Sequence, residues 1–137
     1  MMAILDLMTR RRGKLYQPRR VQSRLKSGVG EEATRKLFEL YCGKPFLSIR
    51  PDWLRNPQTG RNLELDGYCE ELALAFEFDG EHHTKDGYFG SDLKYTQYKD
   101  NLKDSLCVDN GVRLIRIPIQ VFYDNKLSEF ILEKLRE

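Results

Sequence analysis

The chain has 137 residues, 32% of them charged, a formal net charge of +2 and three cysteines. That length suits one ordinary domain that buries a core without staples, and Cys42, Cys69 and Cys107 form neither a CxxC zinc motif nor an even-numbered disulfide framework. The apolar run 1–8 is interrupted by Asp6, is too short for a membrane span, and precedes its basic residues, the reverse of a signal peptide; a soluble protein in a reducing intracellular compartment, with no membrane partner, is expected.

Residues 1–29 carry Arg10, Arg11, Arg12, Lys14, Arg19, Arg20, Arg24 and Lys26 against Asp6 alone, a charge of +7 that leaves 2 − 7 = −5 for residues 30–137. A basic arm on an acidic body is what a phosphate backbone selects, because each neutralised phosphate releases counterions. A merely solubilising tail has the same composition. Arg10, Arg11, Arg12, Arg19, Arg20, Arg24 and Lys26 are the candidate nucleic-acid contacts, and the chain divides into an arm, 1–29, and a folded domain, 30–137.

After the Ser27–Gly30 break, 31–41 reads as a helix with Ala33, Leu37, Leu40 and Tyr41 on one face and Cys42-Gly43 closing it. Residues 46–49 form a short strand candidate, and 50–60, with two prolines and a glycine, a loop. Segments 63–66 and 72–78 read as a β-hairpin turning through 68–71, Asp66 closing its first strand. The stretch 82–91 reads as a loop. A helix over 92–110 directs Leu93, Tyr98, Leu102 and Leu106 inward and stops at Asn110-Gly111; a strand over 112–118 and an amphipathic helix over 127–135 follow. This order implies an α/β sandwich whose sheet joins an antiparallel hairpin to a last strand returned by a helical crossover.

Period-two alternation puts Glu77 and Asp79 on one face of their strand and Phe76 and Phe78 on the other, with Glu81, His82 and His83 just beyond. Asp66 comes from the neighbouring strand. Hard cations such as Mg²⁺ take one or two carboxylates plus water and substrate phosphate, and a metal so held serves phosphodiester hydrolysis. Acids at strand ends are also ordinary surface residues; Glu77 stands out because it interrupts the apolar run Leu72-Ala-Leu-Ala-Phe-Glu-Phe78, where an unpaired carboxylate costs several kcal/mol. Lys99 and Lys103 are spaced to project an ammonium group into the site from the helix. Trp53, with Arg50, Arg55 and Arg61 around it, is a further candidate for phosphate or base contact, against the commoner role of a lone Trp in packing.

Leu63-Glu-Leu-Asp-Gly-Tyr, Ala75-Phe-Glu-Phe-Asp-Gly-Glu-His-His83, Asp100-Asn-Leu-Lys-Asp-Ser-Leu-Cys107 and Gly111-Val-Arg-Leu-Ile-Arg-Ile-Pro118 resemble the restriction-endonuclease-like, PD-(D/E)XK, nuclease superfamily. The likeness spans about residues 27–120 and is greatest to the branch of very-short-patch repair endonucleases, related homing endonucleases and small phage or giant-virus proteins. It implies a three-layer sandwich with a central mixed β-sheet flanked by helices in an α-β-β-β-α-β core. The implied activity is a Mg²⁺-dependent DNA endonuclease or nickase, with Mn²⁺ as substitute, no small-molecule cofactor, and a homodimer if both strands are cut.

Asp66 and Glu77 are then the metal ligands. The signature ends in Glu-x-Lys, whereas this chain has Glu77-Phe78-Asp79, so the customary lysine is missing from its place. The repair branch uses a histidine instead, which corresponds to His83, with His82 its neighbour; a histidine near its ordinary pKa of about 6.5 can take a proton from water. The resemblance further implies Glu31, at the start of the first helix, as a residue near the metal, and Asp100 as the support of the histidine ring. Asp79, His82, Gln97, Lys99 and Lys103 are secondary candidates. A non-catalytic DNA-binding module that retained the fold and an RNA-cleaving relative are the competing expectations.

Overall fold

The computed structural model describes residues 28–79 and 91–137. They divide into two compact units, one built from 28–43 and 120–137 and the other from Lys44–Ile119. Among the described residues no helix is long and apolar enough to cross a membrane.

In the first unit, α1 spans Val29–Cys42. Glu31 and Glu32 in its first turn oppose the helix dipole, and the buried Thr34 hydroxyl is satisfied by donating to Gly30 O at 2.8 Å. Gly43 ends the helix in the left-handed region, φ 70°, its N–H donating to Glu39 O. The buried stripe is Thr34, Leu37 and Phe38, so of the expected Ala33, Leu37, Leu40 and Tyr41 only Leu37 is fully buried and the other three are half-buried. The C-terminal α4, Leu127–Arg136, buries Leu127 and Ile131 one turn apart and packs against α1. Between the units' segments lies α3, Ile119–Tyr123, a single turn that no sequence pattern announced.

The second unit holds β1 (Leu47–Ile49), β2 (Leu65–Cys69), β3 (Leu74–Asp79), α2 (Ser91–Asp109) and β4 (Arg113–Pro118). The sheet order is β1-β2-β3-β4. β1–β2 and β2–β3 are antiparallel, and β3–β4 is parallel, with α2 as the crossover. The chain therefore has the expected mixed α/β architecture. The hairpin, however, is displaced: β2 runs through Gly67 and Tyr68 to Cys69, and the turn occupies residues 70–73, closed by Ala73 N–H on Glu70 O at 3.0 Å with Ala73 at φ 52°. Asp66 accordingly lies near the start of β2 and does not close it. Gly67 is within the strand for a steric reason: a methyl group there would overlap the Phe76 ring.

Phe76 and Gly67 thus share one face of the sheet, and the ring centroids of Phe46 and Phe76 lie 6.2 Å apart. On the other face Ala75 packs with Leu54, Leu65, Val112 and Cys107 of α2, flanked by Tyr68, Leu106 and Leu114. Cys107 and Leu106 make this contact, where Leu93, Tyr98 and Leu102 were expected to share it; those three are half-buried. Because Ala75 faces α2, alternation brings Glu77 and Asp79 to the same face, and the register Glu77↔Arg116 adds Arg116 of β4. The helix stops where Val112 N–H donates to Cys107 O at 2.8 Å and Gly111 adopts φ 71°.

Candidate functional site

Glu77 sits in β3 with only 6% of its surface exposed. A charge so enclosed needs partners, and it has two. Lys103 Nζ of α2 donates to Oε1 at 2.6 Å, and the backbone N–H of Asp66 donates to Oε2 at 2.8 Å. Asp66 reciprocates, its Oδ2 accepting the Phe78 N–H at 2.8 Å. Each strand's acid therefore binds a main-chain N–H of the other strand, which makes the two acids neighbours across the β2–β3 gap. On its other side β2 meets β1 with a register shift: β2 spans Leu65 to Tyr68 where β1 spans only Ile49 to Leu47, an extra residue beside Asp66. Bulges of this kind commonly re-aim side chains next to active sites.

One strand further along, Arg116 gathers three acids of the same face. Its Nη1 donates to Asp79 Oδ1 at 3.1 Å, Nε to Asp104 Oδ1 at 3.1 Å, and Nη2 to the Asp100 carbonyl at 3.0 Å, with the Asp100 carboxylate 3.9 Å away. Burial works against the guanidinium charge, but Asp79, Asp104 and Asp100 together outweigh it and raise its pKa. The planar fork thereby ties the end of β3 to the middle of α2. Cys107, deeper under the helix, is an inert thiol: burial first, then Asp104 and Glu77, push it up to about 11.

Of the expected site residues, the structure brings together Asp66, Glu77 and Lys103, and beside them Asp79 and Asp100. Lys99 is directed elsewhere, with Nζ 4.9 Å from the centroid of the Tyr95 ring, and Gln97 is exposed. Glu31 belongs to the other unit, where it pairs with Arg35 at 3.2 Å. His82, His83 and the arm residues Arg10, Arg11, Arg12, Arg19, Arg20, Arg24 and Lys26 lie outside the described residues. Arg116 was not singled out by sequence, although the signal was the same as for Glu77: a charge within a strand of alternating Leu, Ile and Ile.

Asp66 and Glu77 present only oxygen donors, one carboxylate per strand, the donor class that Mg²⁺ and Mn²⁺ take together with water and phosphate. Among the described residues no group of three or more His, Cys, Asp or Glu side chains is arranged to hold a metal. The donor set fits a cation that draws its remaining ligands from solvent and substrate.

No protein-family model matches the chain, and no solved structure matches it. Three viral proteins do. The chain is 38% identical over 104 residues to Uncharacterized protein 033L of Invertebrate iridescent virus 3, covering 73% of this chain and 52% of that protein, so it spans about half of that relative's length. It is 34% identical over 134 residues to Uncharacterized protein 307L of Invertebrate iridescent virus 6, covering 84% and 66%. With Uncharacterized protein 094L of Frog virus 3 (isolate Goorha) the identity is 34% over 128 residues, covering 87% and 81%. Likeness at that level over four-fifths of 094L shows that the chain belongs to the protein family of Frog virus 3 094L.

Proposed function

We propose that this chain is a divalent-metal-dependent DNA endonuclease or nickase of the restriction-endonuclease-like superfamily. The observation that carries the reading is the enclosed Glu77 carboxylate, set beside Asp66 of the next strand and faced by the Lys103 ammonium. The order α1-β1-β2-β3-α2-β4 agrees with the core that the sequence resemblance implies, and it supplies the amine missing after Glu77-Phe78 from a different element.

Asp66 and Glu77 would hold the cation, which when bound acts as a Lewis acid on a phosphate oxygen. Lys103 fixes the Glu77 head and brings a positive charge to a place where negative charge accumulates during phosphodiester hydrolysis. Arg116 holds Asp79 and Asp100 in place at the strand end that leads toward His82 and His83. One observation favours a second reading, a non-catalytic DNA-binding module: Glu77 is already charge-balanced by Lys103 without a metal.

Supercoiled plasmid incubated with the protein in Mg²⁺, Mn²⁺ or EDTA separates the two. The nuclease reading expects relaxed circles only with metal, and loss of cleavage for Asp66→Asn and Glu77→Gln, the residues that would hold the cation. Variant activity equal to the parent's, or no cleavage under any condition, sinks it.

A further inference from the structure

We infer that the Arg50–Leu63 hairpin, locked to Tyr95 of α2, is a binding surface for the phosphodiester backbone of DNA. The inference rests on the proposed function for the identity of the substrate. Its own warrant is a cluster of three exposed arginines on one anchored hairpin.

The segment between β1 and β2 is a built structure. Arg55 and Asn62 form a bridge, Asn56 N–H donates to Arg61 O at 2.9 Å, and Leu63 N–H donates to Leu54 O at 2.6 Å. Gly60, at φ 75°, turns the tip, its N–H on Asn56 O at 2.8 Å. Arg50 Nη1 donates across the base to Asn62 O at 2.9 Å.

Asn56 is the anchor. With 1% of its surface exposed, its Oδ1 accepts the Gln58 N–H at 2.9 Å and its Nδ2 donates to the Tyr95 hydroxyl at 3.2 Å. The hairpin is thereby fixed to α2 by a part-buried polar contact made from a buried side chain, which a merely connecting loop does not need.

Several cations elsewhere in the described chain are ion-paired: Arg35 to Glu31 and Glu32, Lys44 to Glu71, Lys103 to Glu77, Arg116 to its aspartates, Lys134 to Glu137. Arg50, Arg55 and Arg61 are exposed, and among the described residues none of them has a carboxylate ion-pair partner. Three exposed guanidinium groups on one hairpin, Arg50 also bracing its base and none ion-paired to a carboxylate among the described residues, present the donor type that best fits phosphate oxygens.

The placement connects this surface to the acids. Tyr95, 38% exposed and stacked at 18° on Tyr98, begins an i, i+4 ridge that continues through Lys99 to Lys103. Eight residues of helix cover about 12 Å, on the order of three to four base steps at ~3.4 Å along one strand. The hairpin's second leg runs directly into β2 and Asp66. A strand lying on the arginines therefore has a cationic path along α2 to Glu77.

The test measures fluorescence anisotropy of a labelled oligonucleotide, single-stranded and as its duplex, with the full chain in EDTA over a series of KCl concentrations. Arg55→Gln/Arg61→Gln is compared with Lys126→Gln/Arg136→Gln, which removes equal charge from exposed positions elsewhere. Melting temperatures confirm that both variants fold. The hairpin variant is expected to make the slope of log K against log[salt] shallower by about 1.8 on duplex or about 1.4 on a single strand, roughly 0.9 or 0.7 per lost contact; the control variant is expected to keep the parent slope. Equal slopes for the two variants on both substrates overturn the proposal. Hairpin-dependent binding by a parent that never cuts plasmid keeps this inference and removes the nuclease reading, whereas metal-dependent cutting with hairpin-independent binding does the reverse.

Discussion

Removing the Glu77 charge leaves the Lys103 ammonium, with 15% of its side chain exposed, beside a neutral amide. A buried ion pair broken on one side costs more than one replaced on both. Glu77→Gln is therefore expected to lower the unfolding free energy by about 3 kcal/mol, Lys103→Met by a similar amount, and the double variant by clearly less than their sum. Urea unfolding of the four proteins measures it; single variants within ~0.5 kcal/mol of the parent would show that no such pair exists. Glu77 was legible because a carboxylate inside Leu-Ala-Leu-Ala-Phe-Glu-Phe has no cheap explanation. Lys103 was legible only as one of two spacings, since sequence does not say which side of a helix meets which strand. The ion pair between Lys103 and Glu77 is a contact made by that orientation alone.

At the level of elements, local rules served where the signal is periodic. The crossover order, the alternation of Glu77 and Asp79 against Phe76, and the Gly43 and Gly111 stops follow from side-chain period and glycine chemistry. They failed at Gly67, taken as punctuation because glycine usually is, whereas its reason is a ring packed where its side chain would be. Gly67→Ala is expected to cost about 2–3 kcal/mol through overpacking of the fully buried Phe76, a fall of about 10 °C in Tm by differential scanning fluorimetry. A parent-like Tm would mean that Phe76 does not lie over β2. The extra residue beside Asp66 was equally invisible, because a bulge is a property of two paired strands and leaves no mark in either one alone.

For the whole chain, the +7 of residues 1–29 against −5 for the remainder is a sequence property that placement refines: acids outnumber bases after residue 29, yet three exposed arginines gather between β1 and β2. Metal bears on the two functional readings through Asp66 and Glu77, both already hydrogen-bonded within the protein. If Asp66 and Glu77 take a dication, Mg²⁺ at a hundredfold over its Kd stabilises the folded chain by about 2.7 kcal/mol, equivalent to roughly 9 °C in Tm. The rise should vanish in Asp66→Asn. An unchanged Tm across a Mg²⁺ titration, with plasmid left intact, identifies a binding module.

The exchange between β2 and β3 has a consequence for how such a ligand enters. Main-chain hydrogens of Asp66 and Phe78 are bonded by the carboxylate oxygens of the opposite strand's acid. Anything arriving at those oxygens would compete with the contacts that join the two strands, so binding there and stitching β2 to β3 would be one equilibrium.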